Sequence, residues 1–331
     1  MSNLAAGNEY VPFVDLMRLE TINDVTYRSI AQPFNPGGNI VKSMGRAYGG
    51  HVYAQAAWAA AQTVPAGFVL HNVSGSFILP GLLDLPFVYK VHNIRDGRSY
   101  CTRIVNVTQA SGKGVCFTCT CSFKTNESSE LDAQEPMDLW TKYDSVLNGK
   151  KPDDFPEAPG MDVPRYHKML QNGHPNDKFP GLTMKRVDMS AYNDRREPLD
   201  RRQLIFYKPI GELSSDLNLH MCAHLYASDR NSLFIVAAHL GVGGSFSQMG
   251  SLTHTVTFHA PLKSLRLDQK DSGLPQGDWF CKEDRTDRAS VGRANFHSRV
   301  FSPDGVHVMS IMQDGMVRVG ERPAGKDVSR L

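Results

Sequence analysis

The sequence predicts an α+β protein built from two copies of one unit, each a buried helix followed by an antiparallel meander. Three observations carry this reading. At 331 residues the chain exceeds one typical core and suits two compact units with connections. Eight of the nineteen prolines fall within residues 125–200, among Asp, Asn and Gly, and on each side lies a segment with the same order of elements. Offsets between the two segments repeat: Phe77 to Phe258 and Pro80 to Pro261 are 181 apart, Gly114 to Gly305 and Val115 to Val306 are 191 apart. The expected boundaries are 1–125 for the first unit, 126–200 for a proline-rich connection with short helices, 201–320 for the second unit and 321–331 for a flexible tail.

The first helix is read from Gly49-Gly50 through His51 to Thr63, where Val52, Ala56, Ala59, Ala60 and Thr63 recur at helical spacing. Its other face is also largely alanine, so it should be enclosed nearly all round. Strand-like runs follow at 73–79, 87–94, 99–108 and 115–123. Arg95-Asp96-Gly97 and Ser111-Gly112-Lys113-Gly114 supply hairpin turn chemistry between them. In the second segment a helix is expected from about Asp229 to His239, stopped by Gly241-Val242-Gly243-Gly244. Strands are expected at 252–258, 279–282, 289–300 and 306–312, and Ser302-Pro303-Asp304-Gly305 occupies the place of the Ser111 turn. Two sheets, each curled round one central helix, is the consistent picture.

Composition narrows the function classes. With 36 Lys and Arg against 34 Asp and Glu and no long like-charged block, nucleic acid is not an expected partner. The amino terminus has no positive and apolar regions of a secretory signal, so the chain is expected to stay inside the cell. The alanine-rich stretch 54–64 is too short for a membrane span. Cys116, Cys119 and Cys121 sit in a β-branched and aromatic run with no second ligand pair, and read as buried, reduced strand cysteines rather than a metal cluster. There is no Gly-x-Ser-x-Gly elbow, no complete dinucleotide fingerprint and no His-Glu-x-x-His pair. A cofactor or catalytic metal is therefore not expected.

What remains is Tyr226-Ala-Ser-Asp229-Arg-Asn231-Ser-Leu-Phe234, which places Asp229 at the opening of a buried helix. Ser and Asp there are ordinary capping residues, so spacing alone leaves capping and catalysis both open. A helix N-terminus lowers a carboxyl pKa and burial raises it, and the sequence does not decide between them. Gln313 alternates in phase with Met309 and Ile311 and should share their buried face, either as a satisfied amide or as a functional group. Ser251 shares the phase of Thr253, Thr255 and Thr257, so periodicity does not single it out. Ser329-Arg330-Leu331 at the carboxy terminus matches the small, basic, leucine pattern of a peroxisomal address, which an import receptor would read beyond the tether 323–327.

Several separated motifs then agree with one family. Gly49-Gly50-His51-Val52-Tyr53-Ala54-Gln55, Ser74-Gly75-Ser76-Phe77 with Pro80-Gly81, Arg95 to Ser99, Tyr226 to Asp229, His254 with Phe258-His259, and Gln313-Asp314-Gly315 resemble the type II acyl-CoA thioesterases, bacterial and peroxisomal. The likeness covers roughly residues 10–125 and 200–320. It implies a double hot-dog fold, acyl-CoA as substrate, a homo-oligomer, and direct attack by a water held by Asp229, Ser251 and Gln313. One site per chain, in the second unit, is expected, because the first helix offers no carboxylate at its start. Two departures, Arg230 after the Asp and Val256-Thr257 before Phe258-His259, bear on the acyl tunnel rather than on the reacting groups.

Two other readings compete. A hot-dog enoyl-CoA hydratase would open its helix Asp-x-Asn-Pro-x-His. Asp229 and Asn231 match this, but Ser232 and Phe234 stand where the Pro and the essential His belong. A catalytically silent acyl-CoA binding protein is opposed by chemically competent residues at all three positions.

Overall fold

The computed structural model describes residues 10–37, 46–174, 176, 178–243, 245–268 and 277–320, so Ser329, Arg330 and Leu331 lie outside the described residues. The first half comprises helix α1 (Phe13–Leu16), strands β1 (Leu19–Asn23) and β2 (Thr26–Ser29), helix α2 (Gly49–Ala61) and strands β3 (Phe68–Phe77), β4 (Val88–Asp96), β5 (Tyr100–Thr108) and β6 (Val115–Thr125). Short helices α3 (Leu139–Lys142), α4 (Asp144–Leu147) and α5 (Pro164–Gln171), strand β7 (Leu182–Arg186) and helix α6 (Ser190–Asn193) follow. The second half holds β8 (Gln203–Pro209), α7 (Leu217–Ser228), α8 (Ser232–His239), β9 (Phe246–Phe258), β10 (Phe280–Arg285), β11 (Ala289–Ser290), β12 (Arg293–Phe301) and β13 (His307–Val319).

The strands form one antiparallel sheet in the order β1-β2-β4-β5-β6-β3-β9-β13-β12-β10-β8-β7, with β11 beside β12. The half-sheets meet where β3 pairs β9, from Asn72 opposite Thr257 to Ser76 opposite Thr253. Each half curls round its helix, which is the double hot-dog arrangement, with the two sheets fused edge to edge. Strands β1, β2, β7 and β8 have no counterpart in the sequence reading. Strand β1 is short and largely exposed, so it carries no alternation, and β8 is buried on both faces over Gln203–Tyr207, which erases the period of two.

Helix α2 is enclosed as its alanines predict: every residue from Gly50 to Ala60 except Trp58 is buried. Small side chains let α7 lie against it, and Tyr48 donates to the Tyr226 carbonyl at 2.5 Å. A Cβ at Gly50 would stand 2.7 Å from that same carbonyl oxygen, so only glycine fits there. The main core runs through both halves, from Phe13 to Val317. The connection covers the outer face of β8, β10 and β12 with Leu139, Tyr143, Leu147 and Phe155, and Trp140 stacks on Phe206. Strand β10 is therefore buried on both faces. All six cysteines are buried and free.

The second central helix differs from the expectation. It does not open at Asp229. Helix α7 runs up to Ser228 and α8 starts at Ser232, with Asp229 as the C-terminal boundary of α7 and Asn231 left-handed at φ 58. Asn is one of the few residues that adopts this conformation readily. Gly241, at φ 69, ends α8 as its position suggested.

Candidate active site

The break between α7 and α8 turns the Asp229 carboxylate out of both helices and toward the first half. A Cβ built on Gly49 would approach Asp229 Oδ2 to 2.7 Å, and the Gly50 amide donates to the carboxylate. The capping interpretation thus changes: the carboxylate meets the N-terminus of α2, in the other unit, where free amides and the dipole favour an anion.

Gln313 and Ser251 come to the same point from two paired strands. Gln313, fully buried, shares the inner face of β13 with Met309 and Ile311. Its Nε2 donates to Asp229 Oδ1 at 2.8 Å and to Ser251 Oγ at 2.7 Å. Simple alternation would have put Ser251 on the outer face with Thr253 and Thr255. The register skips Leu252, since Asp314 faces Thr253 and Gly315 faces Ser251. That bulge reverses the phase and aims the Ser251 hydroxyl inward. The three residues singled out from the sequence are thus joined through the Gln313 amide.

Above them lies a cleft of about 170 Å³, walled by Met161, Leu233, Phe234, Phe246 and Met249, with Arg46 on its lining. Mostly apolar walls closing on a few polar groups suit an acyl chain and its carbonyl. Burial raises the Asp229 carboxyl from 3.8 to about 6, opposed by the Gln313 bond, the Lys282 ammonium, the Gly50 amide and Ser232. Burial outweighs the donors. Near neutrality the group is ionised yet basic enough to accept a proton. His254 bonds Ser228 Oγ at 2.7 Å and is held neutral, burial lowering it to about 3.

Arg230, the first departure from the family pattern, is buried and points away from the carboxylate. It donates to Pro159 O at 2.6 Å, Gly160 O at 2.8 Å and Asn231 Oδ1 at 2.7 Å, and lies 4.2 Å over the Phe179 ring. It fastens the segment that carries Met161 into the cleft wall. The sequence reading missed this tie, and it missed the Gly49-Gly50 contribution. A glycine pair opening an enclosed helix was the available signal for the latter.

A fused hot-dog scaffold with a half-buried carboxylate and hydroxyl joined by a buried amide at the foot of an apolar cleft suits an acyl-group hydrolase. Comparison with known proteins gives the family. Residues 41–124 match the acyl-CoA thioesterase N-terminal domain and residues 152–317 the acyl-CoA thioesterase C-terminal domain. The chain belongs to the type II acyl-CoA thioesterase family and is an acyl-CoA thioesterase. It is 25% identical over 318 residues to acyl-CoA thioesterase 2 of Haemophilus influenzae, covering 93% of this chain and 97% of that one. It is 26% identical over 278 residues to acyl-coenzyme A thioesterase 8 of Homo sapiens, covering 83% and 81%. In fold it is similar to the acyl-CoA thioesterase II TesB2 of Mycobacterium marinum, at TM-score 0.65, 23% identity, and 95% and 99% coverage. A hot dog fold protein of Alicyclobacillus acidocaldarius aligns at TM-score 0.66 and 18% identity, covering 93% and 98%. No helix among the described residues is long and apolar enough to cross a membrane.

Proposed function

We propose that the enzyme hydrolyses fatty acyl-CoA by direct attack of a water that Asp229, Ser251 and Gln313 hold against the thioester carbonyl. The observation that carries this is Gln313 Nε2 bridging Asp229 Oδ1 and Ser251 Oγ at the foot of the apolar cleft. Asp229 takes a proton from the water as its oxygen bonds to the carbonyl carbon. The tetrahedral intermediate collapses with departure of the CoA thiolate, and that proton is then available to the thiolate. The positive end of α2 favours the negative charge that develops, while Gln313 holds Asp229 and Ser251 in place. A thioester is electrophilic enough that an oriented water and a base suffice.

Wild-type enzyme is expected to release free CoA from a medium- or long-chain acyl-CoA. Run in ¹⁸O-water for a single turnover, it should place the label in the released acid. Label in the Asp229 side chain would mean that the carboxylate itself attacks. Binding of acyl-CoA without release at any chain length would favour the silent-binder reading. The hydratase reading lacks its histidine, since Phe234 lines the cleft instead. We further propose a peroxisomal destination, supported by Ser329-Arg330-Leu331 and its recognition by an import receptor. Deleting the tripeptide from a tagged chain should leave the protein cytosolic, and persistent peroxisomal import would refute the role of the tail.

A further inference from the structure

Strand β10 places a lysine where an apolar residue would fill the same core. Lys282 and Asp284 both point inward with 0% side-chain exposure, Nζ lying 3.8 Å from Asp284 Oδ2. The ammonium also donates to Ala227 O at 3.3 Å and Arg230 O at 3.2 Å, carbonyls on either side of Asp229 in the chain. A buried charge is retained against a desolvation penalty only where partners meet it. Here those partners are the backbone of the corner that carries Asp229, together with one carboxylate.

We propose that Lys282 is a positioning residue for Asp229, its ammonium pinning the two carbonyls that flank Asp229 in the chain and setting a positive charge next to the catalytic carboxylate. A cation at the C-terminal carbonyls of α7 offsets the negative end of that helix, which otherwise faces Asp229. Asp284, whose carboxyl burial raises to about 6, balances Lys282 when ionised and so limits how much of its charge Asp229 feels.

The other groups round Asp229 leave this pair as its adjustable electrostatic neighbours. From α2 and the residue before it come the Gly50 amide and the Tyr48 and Tyr53 phenols, which burial keeps protonated. From β13 comes neutral Gln313, from α8 Ser232 and from β9 neutral His254. Arg230 spends its guanidinium on Pro159, Gly160 and Asn231.

The inference rests on Asp229 acting as the base, so Asp229→Asn is run alongside Lys282→Met, Lys282→Gln and Asp284→Asn. The readouts are kcat, KM and the acid limb of kcat/KM against pH. Lys282→Met is expected to lower kcat tenfold or more with KM within about twofold, and to move the acid limb up by about one pH unit. Lys282→Gln, which keeps a donor for the carbonyls but no charge, should recover part of kcat while keeping the upward shift. Asp284→Asn should shift the limb the opposite way, to lower pH. An inactive Asp229→Asn with wild-type acid limbs in both Lys282 variants would overturn the inference and leave the base intact. An active Asp229→Asn would remove the base and this inference together. If Lys282→Met does not fold, Asp284→Asn decides: an unmoved or upward-shifted limb refutes the positioning charge.

Discussion

At the residue scale the molecule turns on a carboxylate kept in an unfavourable place. The Asp229 carboxyl stands at 3.8 in the unfolded chain and about 6 in the fold. Between those pH values the folded state holds a proton that the unfolded state has released. The contribution of this group is therefore most favourable below pH 3.8 and is lost as pH rises through about 6. Two pKa units amount to about 3 kcal/mol of penalty at pH 7. Asp229→Asn is accordingly expected to raise the melting temperature at pH 7 while lowering activity, which a thermal melt checks. On the proposed mechanism activity has the opposite pH sign, because the base must be ionised. The kcat/KM profile should fall on the acid side with a midpoint near 6. Gly49→Ala puts a Cβ 2.7 Å from Asp229 Oδ2. The carboxylate must shift, and turnover should drop at least tenfold, on the order seen when one positioned group is displaced by about 1 Å, with the far-UV circular dichroism unchanged.

At the element scale the helix break and the β9 bulge do the positioning, and both lay beyond sequence periodicity. The polar run Ser228-Asp229-Arg230-Asn231-Ser232 interrupts the apolar residues of 217–239, but Ser and Asp there read equally well as the start of one helix as a corner between two. The left-handed Asn231 is the local reason for the corner. Gln313 was legible, because one amide in an apolar phase stands out. Ser251 was not, because a one-residue bulge inverts every phase beyond it. Its place came from resemblance. Arg230 reads in the sequence as a departure bearing on the acyl tunnel, and its role as a buried tie is not visible there because its carbonyl partners lie about 70 positions away. Arg230→Met should leave Pro159 O and Gly160 O unmet and destabilise the fold by about 1–3 kcal/mol per lost partner. Freed of this tie, the Met161 wall should admit longer acyl chains, which a chain-length series of kcat/KM measures.

At the scale of the whole molecule the duplication is visible in the offsets, and the sheet shows what the duplication is for. Edge strands β3 and β9 close on each other, removing two exposed edges and bringing the start of α2 to a carboxylate of the other half. The candidate site thus takes its three side chains from the second half and the start of α2 from the first. The core is continuous across the seam. Denaturant unfolding is expected to give one cooperative transition, with circular dichroism coinciding with fluorescence from Trp58, Trp140 and Trp279 in the two halves. Separate transitions would mean that the halves are energetically independent. The central claim is that Asp229 activates the water, and its most direct test is the rate of CoA release by purified Asp229→Asn, measured beside its affinity for the same acyl-CoA. The expected result is a loss of at least a hundredfold in kcat with binding retained. Wild-type turnover in that variant would contradict it.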